Sequence, residues 1–373
     1  MNGKERVKAL VEHRPVDRTP ITGWKHFPFI DLTDELAPTH IKFTDDNGFD
    51  IVKSMSNPSY MYEAYGCHIE FYHTDDEFYG RHSDMKSTPF NSVEDLLNMP
   101  VLDKTNPVLE REIKYAKALC DHYKGEKVVI CTINNPLTAL KKMTTLRLPP
   151  EDPWTGDPST PLFMRGEVVQ TCGNIFKIDR AVVKKALDAI QQTNKNYVDA
   201  LIEAGIDGVF YVIQQGTYDS ISLEDFNDLC RPYDLDFLNY IKDRTWFNAL
   251  HTHGYKNVML KEVLDYPVQA YNWEDNKVGK VLSDSERLSF KQARTMTNKI
   301  LMGGLDMDVD YTFTQDRAKF KENIRVKYRH LVKELGSKEF IFCGGCSMPT
   351  DGINPALLST IQDIVEEECA ELY

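Results

Sequence analysis

The chain has 373 residues, which is enough for one large α/β domain or for two ordinary ones. Its hydrophobic fraction of 42% and its charged fraction of 27% are those of a globular protein, and no apolar stretch approaches the roughly 18 residues of a membrane span. A formal net charge of −13 without any basic run argues against binding to nucleic acid or to an anionic membrane. We therefore expect small molecules or another protein as partners.

The sequence also predicts the cellular compartment. Residues 1–6 lead into an amphipathic pattern rather than into an apolar run with a small-residue cleavage site, so we expect no secretory signal and a cytoplasmic protein. The eight cysteines are scattered without the regular spacing of a disulfide framework, which fits reduced thiols.

The predicted elements begin with a helix that Asn2 caps and that ends before Pro15. Eight short β-like runs follow, at residues 21–24, 51–55, 128–133, 209–213, 249–253, 268–273, 300–304 and 340–343. Segments with helical periodicity lie between most of these runs, at residues 180–204, 223–242, 255–264, 284–298 and 316–335. Such alternation implies parallel strands joined by right-handed crossovers. Because there are eight units and no Gly-x-Gly-x-x-Gly follows the first run, we predict an α/β fold of the (β/α)8 TIM barrel type rather than a doubly wound sheet.

Two segments interrupt this alternation. Residues 67–72 and 78–81 are predicted to form a hairpin before a helix near residues 92–97, and we expect it to be an insertion at the barrel rim after the second strand. After the third strand, residues 144–163 contain five prolines and two Asp-Pro pairs, which predicts a loop without regular structure that serves as a lid or a contact surface. Because no internal repeat or low-complexity linker is present, residues 1–373 are predicted to form one domain.

Histidine and cysteine residues lie at the ends of two predicted strands. The fifth run ends in His251-Thr252-His253, and residues at positions i and i+2 of a strand point to the same side. Cys346 follows the eighth run after two glycines, which let the backbone turn sharply. Because the strand ends of a closed barrel face one cavity, these three side chains can converge with an open fourth position, as in a catalytic zinc site.

Other interpretations of these residues stay open from spacing alone. A histidine pair on a strand is more often a hydrogen-bonded structural feature than a metal site. Cys343 has the alternative of a small buried hydrophobe, and either Cys343 or Cys346 is a candidate ligand. The Cys343-x-x-Cys346 spacing is also that of a redox pair, but no thioredoxin-like pattern lies near it, so we disfavour redox chemistry.

Side chains at the ends of the other runs are candidates for substrate binding, because the carboxyl ends of barrel strands carry the site. They are Trp24, Asn57, Asn135, Gln214, Gln215, Asn272 and Asp306. Lys53 and Glu274 are candidates for catalysis, since a carboxylate beside zinc serves as a fourth ligand or as the partner of a ligating histidine. Taken singly, each of these residues is explained as readily by an ordinary solvated loop.

Six short motifs resemble those of the uroporphyrinogen decarboxylase-like superfamily, and they occur in the order that this superfamily shows. They are Arg6-x-x-Ala9-Leu10 through Pro15-x-Asp17-Arg18-x-Pro20, Asn135-Pro136, Ala204-Gly205-x-Asp207-Gly208, His251-x-His253-Gly254, Gly303-Gly304-Leu305-Asp306 and Gly345-Cys346-Ser347. The superfamily includes the decarboxylase of haem synthesis and zinc methyltransferases that take a methyl group from a methyl-corrinoid protein. The resemblance covers essentially the whole chain and implies a barrel enzyme.

The decarboxylase branch of the superfamily fits this sequence less well. Its members carry two arginines after the first strand to hold the carboxylates of the substrate, whereas residues 24–29 here are Trp-Lys-His-Phe-Pro-Phe. The aspartate that the family has after the second strand falls near Ser56 and Asn57, so that charge is missing too. Decarboxylation of uroporphyrinogen is therefore disfavoured.

In the methyltransferase branch, a His-x-Cys pair at the fifth strand and a cysteine after the eighth strand hold zinc. By resemblance, His251 and His253 occupy the pair and Cys346 the late position, with His253 in place of the family's cysteine. An imidazole instead of a thiolate makes the site one unit more positive, which lowers the pKa of a bound thiol and reduces its nucleophilicity. The replacement puts the methyl donor or acceptor in question rather than the metal.

The resemblance thus implies a zinc-dependent methyltransferase that moves a methyl group between a corrinoid protein and a small molecule. The chain contains no Asp-x-His-x-x-Gly corrinoid signature, so we expect methylcobalamin or another corrinoid on a partner protein that docks over the barrel mouth. Two alternatives remain: a metal-free carboxy-lyase of the same superfamily, and a non-catalytic barrel that binds a corrinoid or a tetrapyrrole. A homo-oligomer is compatible with the sequence.

Overall fold

The computed structural model of the protein describes residues 1–28, 30–73, 81–148, 167–276, 282–283, 285–307, 309–336, 339–350 and 352–372. The strands in these residues are β1 Ile51–Lys53, β2 His68–His73, β3 Arg81–Ser87, β4 Val128–Asn134, β5 Thr145–Leu148, β6 Glu167–Gln170, β7 Gly208–Ile213, β8 Ala249–Thr252, β9 Ala270–Asn272, β10 Ile300–Leu305 and β11 Ile341–Gly344. The helices are α1 Gly3–Val11, α2 Leu36–Asp46, α3 Tyr60–Ala64, α4 Val93–Leu97, α5 Pro107–His122, α6 Pro136–Met143, α7 Arg180–Ala204, α8 Leu223–Leu229, α9 Arg231–Ile241, α10 Phe290–Arg294, α11 Arg317–Leu335, α12 Pro355–Leu358 and α13 Thr360–Leu372. None of these helices combines the length and the apolar composition that crossing a membrane requires.

Seven strands form one curled parallel sheet. Their order is β1-β4-β7-β8-β9-β10-β11, and every neighbouring pair is parallel. The strands are buried along almost their whole length, because helices cover the outer face of the sheet. The prediction of an α/β fold with parallel strands is confirmed, and seven of the eight predicted runs are strands of this sheet.

The first predicted run, residues 21–24, is not a regular strand, and that part of the prediction was wrong. Pro20 has no N–H to donate to a ladder, and Ile21 forms only an isolated parallel bridge, to Phe342 of β11. Around this bridge, the Phe342 N–H donates to the Pro20 oxygen at 2.9 Å. On the other side, the Thr22 Oγ1 donates to the Ile51 oxygen of β1 at 2.8 Å. The segment of residues 20–25 therefore bonds to both edge strands and joins them without a full ladder.

The helical predictions also need correction at three places. The predicted helix at 223–242 breaks into α8 and α9, because Pro232 in the first turn of α9 cannot continue a preceding helix. Residues 255–264 contain only the short 3₁₀ helix Leu260–Val263, since Asn257 adopts a left-handed conformation with φ of 50°. Within 284–298, α10 begins only after Ser289, which closes a capping box with Gln292.

Two antiparallel hairpins accompany the parallel sheet. Strands β2 and β3 pair in the region where the sequence predicted a hairpin, and residues 78–80 of that prediction lie outside the described residues. Residues 145–148 form β5 and pair with β6, so the start of the proline-containing segment 144–163 is regular, contrary to prediction. These four residues contain no proline and are therefore free to pair. Residues 149–163, with all five prolines, lie outside the described residues.

The carboxylate of Asp50 holds the segment of residues 20–25 in place. Asp50 is 3% exposed and accepts hydrogen bonds from Arg6 Nη1 at 2.6 Å and from Arg18 Nη1 at 2.7 Å. It also accepts the backbone N–H of Ile21 at 2.8 Å, while its own N–H donates to the Ile21 oxygen at 2.9 Å. The Arg6 guanidinium is shared with Asp17 at 2.6 Å. The N-terminal Arg/Asp motif therefore serves the closure of the sheet rather than the chemistry of the site.

The closure generates a prediction about stability. Asp50→Ala removes the carboxylate that the buried guanidinium groups of Arg6 and Arg18 share, and we expect it to lower the free energy of unfolding by about 3–5 kcal/mol, as for other broken buried ion pairs. Urea unfolding measures the change. The control is Asp46→Ala, which breaks the exposed Lys42–Asp46 pair and should cost less than about 0.5 kcal/mol. If both variants lose the same free energy of unfolding, the buried ion pairs of Asp50 stabilise the fold no more than an exposed pair does.

Candidate metal centre

Three potential metal ligands converge at the carboxyl end of the parallel sheet. His251 lies in β8, His253 directly follows it, and Cys346 lies in the turn after β11. One ligand atom of each residue can be chosen so that all three atoms lie within 4.8 Å of one another. The sequence prediction of these three residues as one cluster therefore agrees with the geometry.

The turn that carries Cys346 depends on a glycine. A Cβ atom on Gly345 would lie 2.6 Å from Glu274 Cα and 2.7 Å from the Trp273 oxygen, both of them backbone atoms that cannot move aside. The Gly345 N–H donates to the Leu305 oxygen at 3.2 Å, which ties the turn to the end of β10. Only a residue without a side chain lets this turn pack against the backbone that follows β9. This packing brings the Cys346 thiol to the two histidines.

Asn272 fixes the orientation of the His251 ring. The Asn272 Nδ2 donates to the Met302 oxygen at 2.9 Å and to the Gly344 oxygen at 3.3 Å, so its Oδ1 is turned toward His251 Nδ1, 2.6 Å away. Because Oδ1 can only accept, Nδ1 carries the proton and Nε2 keeps its lone pair. The ring also stacks on Phe210, with 5.2 Å between centroids. The protein thus holds His251 in the tautomer that a metal ligand requires.

His253 is held more loosely than His251. Its side chain is 45% exposed, whereas His251 is 2% exposed, and its Nδ1 lies 3.8 Å from Glu274 Oε1, too far for a hydrogen bond. Partial burial lowers the pKa of His253, but the hydrogen bond to Cys346 and the charges of Cys346 and Glu274 outweigh it and raise the pKa overall. Glu274 therefore acts on this ring through its charge.

The two cysteines after β11 differ in their surroundings. Burial tends to raise the pKa of Cys346, yet hydrogen bonds and charges from His251 and His253 bring it well below its usual value. Cys343 is fully buried within β11, away from the histidine cluster, and burial raises its pKa well above the usual range. The geometry therefore distinguishes Cys346, which the sequence alone did not.

The residues of this cluster fit a zinc ion. Two imidazole nitrogens and one thiolate are donors that zinc prefers, and three protein ligands leave one position for a small molecule. The hydrogen bond from His251 Nδ1 to Asn272 is the partner that ligating histidines ordinarily have. The donor set of His251, His253 and Cys346 is thus compatible with zinc binding.

The cluster lies in the wall of a cavity of about 210 Å³ at the carboxyl ends of the strands. The described residues that line this cavity include no Asp or Glu, although they include Lys53, Lys142 and His26. Lys53 is 6% exposed, and burial lowers its pKa to about 8, although the charge of Cys346 opposes this effect. The cavity therefore presents a positively charged wall.

The structure separates the predicted substrate-binding residues into two groups. Trp24, Asn57 and Gln214 line the cavity. Four others do not line it, and they are Asn135, Gln215, Asn272 and Asp306. Of the two predicted catalytic residues, Lys53 lines the cavity, and Glu274 lies beside His253 without lining it.

Three of the residues that do not line the cavity form hydrogen bonds in the segments that follow the strands. Asn135 caps α6 by accepting the Thr138 N–H at 2.9 Å. The hydroxyl of Thr138 donates to Gln215 Oε1, also at 2.9 Å. Asp306 accepts the Val309 N–H at 3.3 Å in the turn after β10. These side chains shape the strand ends, and their part in substrate binding stays a prediction.

Several residues that line the cavity were not predicted from the sequence. Phe210 and Val212 of β7 lie on the same side as Gln214, at two-residue intervals, and Thr132 lies on the same side of β4 as Asn134. The signal that would have found them is the two-residue period of a strand, continued inward from the polar residue at its end. Other lining residues come from helices, and no strand period predicts them: Tyr60 and Tyr62 of α3 and Lys142 of α6.

Comparison with solved structures shows the same fold in enzymes of low sequence identity. A methyltransferase from Methanosarcina mazei matches with a TM-score of 0.69 and 15% identity over 99% of both chains. A B12-independent methionine synthase from Shewanella sp. W3-18-1, in complex with selenomethionine, matches with a TM-score of 0.54 and 12% identity, over 95% of this chain and 98% of that one. A putative vitamin-B12 independent methionine synthase from Listeria monocytogenes matches with a TM-score of 0.50 and 10% identity, over 96% and 98%.

Sequence comparison gives the family. No curated protein matches the chain by sequence. The sequence profile of a family described as Uroporphyrinogen decarboxylase (URO-D) matches residues 167–367, which is more than half of the chain and includes all three residues of the metal cluster. The resemblance that the short motifs indicated is thereby confirmed, and the chain belongs to the uroporphyrinogen decarboxylase (URO-D) family.

Proposed function

We propose that this protein is a zinc-dependent methyltransferase that moves a methyl group between a corrinoid protein and a small molecule. The observation that carries the proposal is the cluster of His251, His253 and Cys346 in the wall of a cavity, with His251 oriented as a ligand by Asn272. When bound there, zinc would supply Lewis-acid chemistry and hold a methyl acceptor or donor in its open position.

The residues of the chain have separate tasks in this proposal. Asn272 keeps the Nδ1 proton of His251 in place, so the Nε2 lone pair stays available. Glu274, 7% exposed, offsets part of the positive charge near His253. Lys53 balances negative charge on the molecule that enters the cavity. Trp24 and Phe210 are both buried and exclude water from the wall beside Lys53.

The proposal includes a corrinoid protein as the partner. The Methanosarcina mazei protein is described as a methyltransferase, which supports methyl transfer on this fold. The Shewanella protein is described as a B12-independent methionine synthase, so the fold by itself does not identify the methyl donor. We assign the donor to a corrinoid protein on the sequence motifs of the methyltransferase branch, and we infer that this protein docks over the carboxyl ends of the strands, where the cavity lies.

A second candidate is a metal-free carboxy-lyase of the same family. The observation that favours it is the positive lining of the cavity, with Lys53 and Lys142 and no carboxylate among the described lining residues. Such a lining suits a substrate with carboxylate groups. The two candidates differ in whether activity needs the metal.

The metal content of the protein tests the zinc site. Protein purified without chelators is expected to hold about one zinc per chain, and His251→Ala is expected to lose it, because two remaining ligands bind zinc weakly. Elemental analysis of both proteins measures this. A wild-type protein without zinc would end the zinc proposal and leave the carboxy-lyase as the leading function.

The two cysteines provide a matched pair for the same measurement. Cys346→Ala is expected to abolish zinc retention, whereas Cys343→Ala, a change of the same size three residues away, is expected to retain it. Cys343 lies buried in β11, so Cys343→Ala is checked for folding by circular dichroism. Loss of zinc in folded Cys343→Ala with retention in Cys346→Ala would reverse the assignment of the ligand.

The hydrogen bond behind His251 leads to a further prediction. Asn272→Ala keeps all three ligands but frees the His251 ring, and we expect zinc affinity to fall by roughly 10- to 100-fold, as for other partners of ligating histidines. Competition with a chromophoric chelator measures the affinity. The control is Gln215→Ala, which removes a buried carboxamide that does not contact the cluster. If both variants bind zinc as tightly as the wild type, Asn272 does not orient the ligand.

The activity itself is tested with methylcobalamin in place of the corrinoid protein and a small thiol as methyl acceptor. Zinc-loaded wild type is expected to accelerate the loss of methylcobalamin absorbance, and chelation is expected to reduce the rate to that without protein. Added zinc should restore the chelated wild type but not Cys346→Ala. A zinc-loaded wild type no faster than the protein-free reaction would contradict the corrinoid assignment, and an equal rate after chelation would contradict the role of the metal.

A further inference from the structure

Lys53 is a buried ammonium group without a carboxylate partner. It is 6% exposed, and among the described residues none forms an ion pair with it. Its polar contact is with the thioether sulfur of Met55, 3.2 Å from Nζ. A thioether is a weak acceptor, and an ammonium group has three N–H donors. The charge of Cys346 offsets only part of the effect of burial on Lys53. Because a buried charge is costly unless it is paired, this arrangement implies a further negative partner that enters from outside the chain.

The surroundings of Lys53 direct it into the cavity. Its Nζ lies 5.5 Å from the ring centroid of Trp24 and 5.0 Å from that of Phe210, and these two rings contact each other edge to face at 5.3 Å. Both rings and Lys53 line the cavity. The aromatic faces stabilise the ammonium group only in part, and they surround it with apolar walls in which an incoming anion is also removed from water.

The net charge of the cluster of His251, His253 and Cys346 also favours an anionic ligand in the cavity. In a zinc complex with two neutral imidazoles and one thiolate, the cluster carries one net positive charge, on the same cavity wall as Lys53. Glu274 offsets one charge near His253. Lys53 is then uncompensated, and a substrate that brings one negative group would neutralise it. This step rests on the proposed function, whereas the missing partner of Lys53 does not.

The remaining walls limit the rest of the ligand. Tyr60 is 2% exposed, and its hydroxyl donates to the Thr132 oxygen at 3.2 Å, which leaves the ring of Tyr60 as an apolar surface. The cavity of about 210 Å³ lies below the roughly 300 Å³ at which pockets for drug-sized ligands begin. The space therefore suits a molecule of about one ring with a single charged group.

We propose that Lys53 anchors the carboxylate of a small substrate whose apolar body lies against the rings of Trp24, Tyr60 and Phe210. The anchor places the rest of the molecule in the same cavity as the metal cluster, so the carboxylate sets which end of the substrate reaches the reacting centre. Lys53 in this inference is a specificity-determining residue, and the substrate class is a small monocarboxylate with an apolar body.

The test uses benzoate and benzamide, which share a ring and differ in charge. Both are titrated into the purified protein, with ligand-observed NMR as the readout, before and after chelation of the metal, since a carboxylate also binds zinc directly. In both states, wild type is expected to bind benzoate roughly tenfold or more tightly than benzamide, the range of a charge-assisted hydrogen bond. Equal affinities in metal-free wild type would overturn the proposal without any variant.

Two lysine variants locate the effect. Lys53→Met keeps the length of the side chain, and it is expected to weaken benzoate binding roughly tenfold or more while leaving benzamide binding within about threefold. The control is Lys117→Met, which removes an exposed ammonium group of α5 that does not line the cavity, and it should change benzoate binding by less than about threefold. Equal losses in the two variants, or none in folded Lys53→Met, would overturn the role of Lys53.

Zinc content is measured on every sample, so the outcome for Lys53 is separable from the outcome for the methyltransferase. A protein without zinc that still prefers benzoate through Lys53 would retain this inference and lose the proposed function. A zinc protein with no preference for benzoate would retain the proposed function and lose this inference.

Discussion

The carboxylate of Asp50 accepts hydrogen bonds from Arg6 and Arg18 and from the backbone of the segment 20–25, and the walls of the cavity depend on that arrangement. Lys53 lies three residues beyond Asp50 in β1, and Trp24 lies in the segment itself. The turn that carries Cys346 is continuous with β11, to which the segment is bonded. One buried charge network on the N-terminal side of the sheet thus sets the relative position of the metal cluster and the cationic wall.

Much of the fold follows from local sequence patterns, and the misses have local physical causes. The apolar runs predicted seven strands of the sheet because parallel strands buried on both faces need nearly continuous hydrophobic sequence. Residues 21–24 follow Pro20, and an isolated bridge together with side-chain hydrogen bonds takes the place of a full ladder there. Periodicity overestimated the helix at 255–264 because the left-handed turn at Asn257 leaves no mark in an amphipathic pattern.

The candidate metal ligands could be predicted from the sequence, whereas the roles of the polar residues around them could not. Histidine and cysteine residues at the predicted strand ends are few, so residue type and position predicted a cluster of His251, His253 and Cys346, with Cys343 as the alternative thiol. Asn272 ends β9 and Gln215 follows β7. Nothing in the neighbouring sequence indicates that Asn272 orients a histidine whereas Gln215 accepts a hydrogen bond from Thr138. That difference depends on which strand lies next in the sheet.

The unequal hold on the two histidines has a consequence for ligand exchange. His251 is 2% exposed, stacked on Phe210 and bonded to Asn272, whereas His253 is 45% exposed and lies beside Glu274 without a hydrogen bond to it. If these residues hold a metal, His251 would be the ligand that the protein fixes in place, and His253 would be the ligand that solvent can reach. An incoming molecule would then meet the more exposed imidazole, while the strands that carry His251 keep their position.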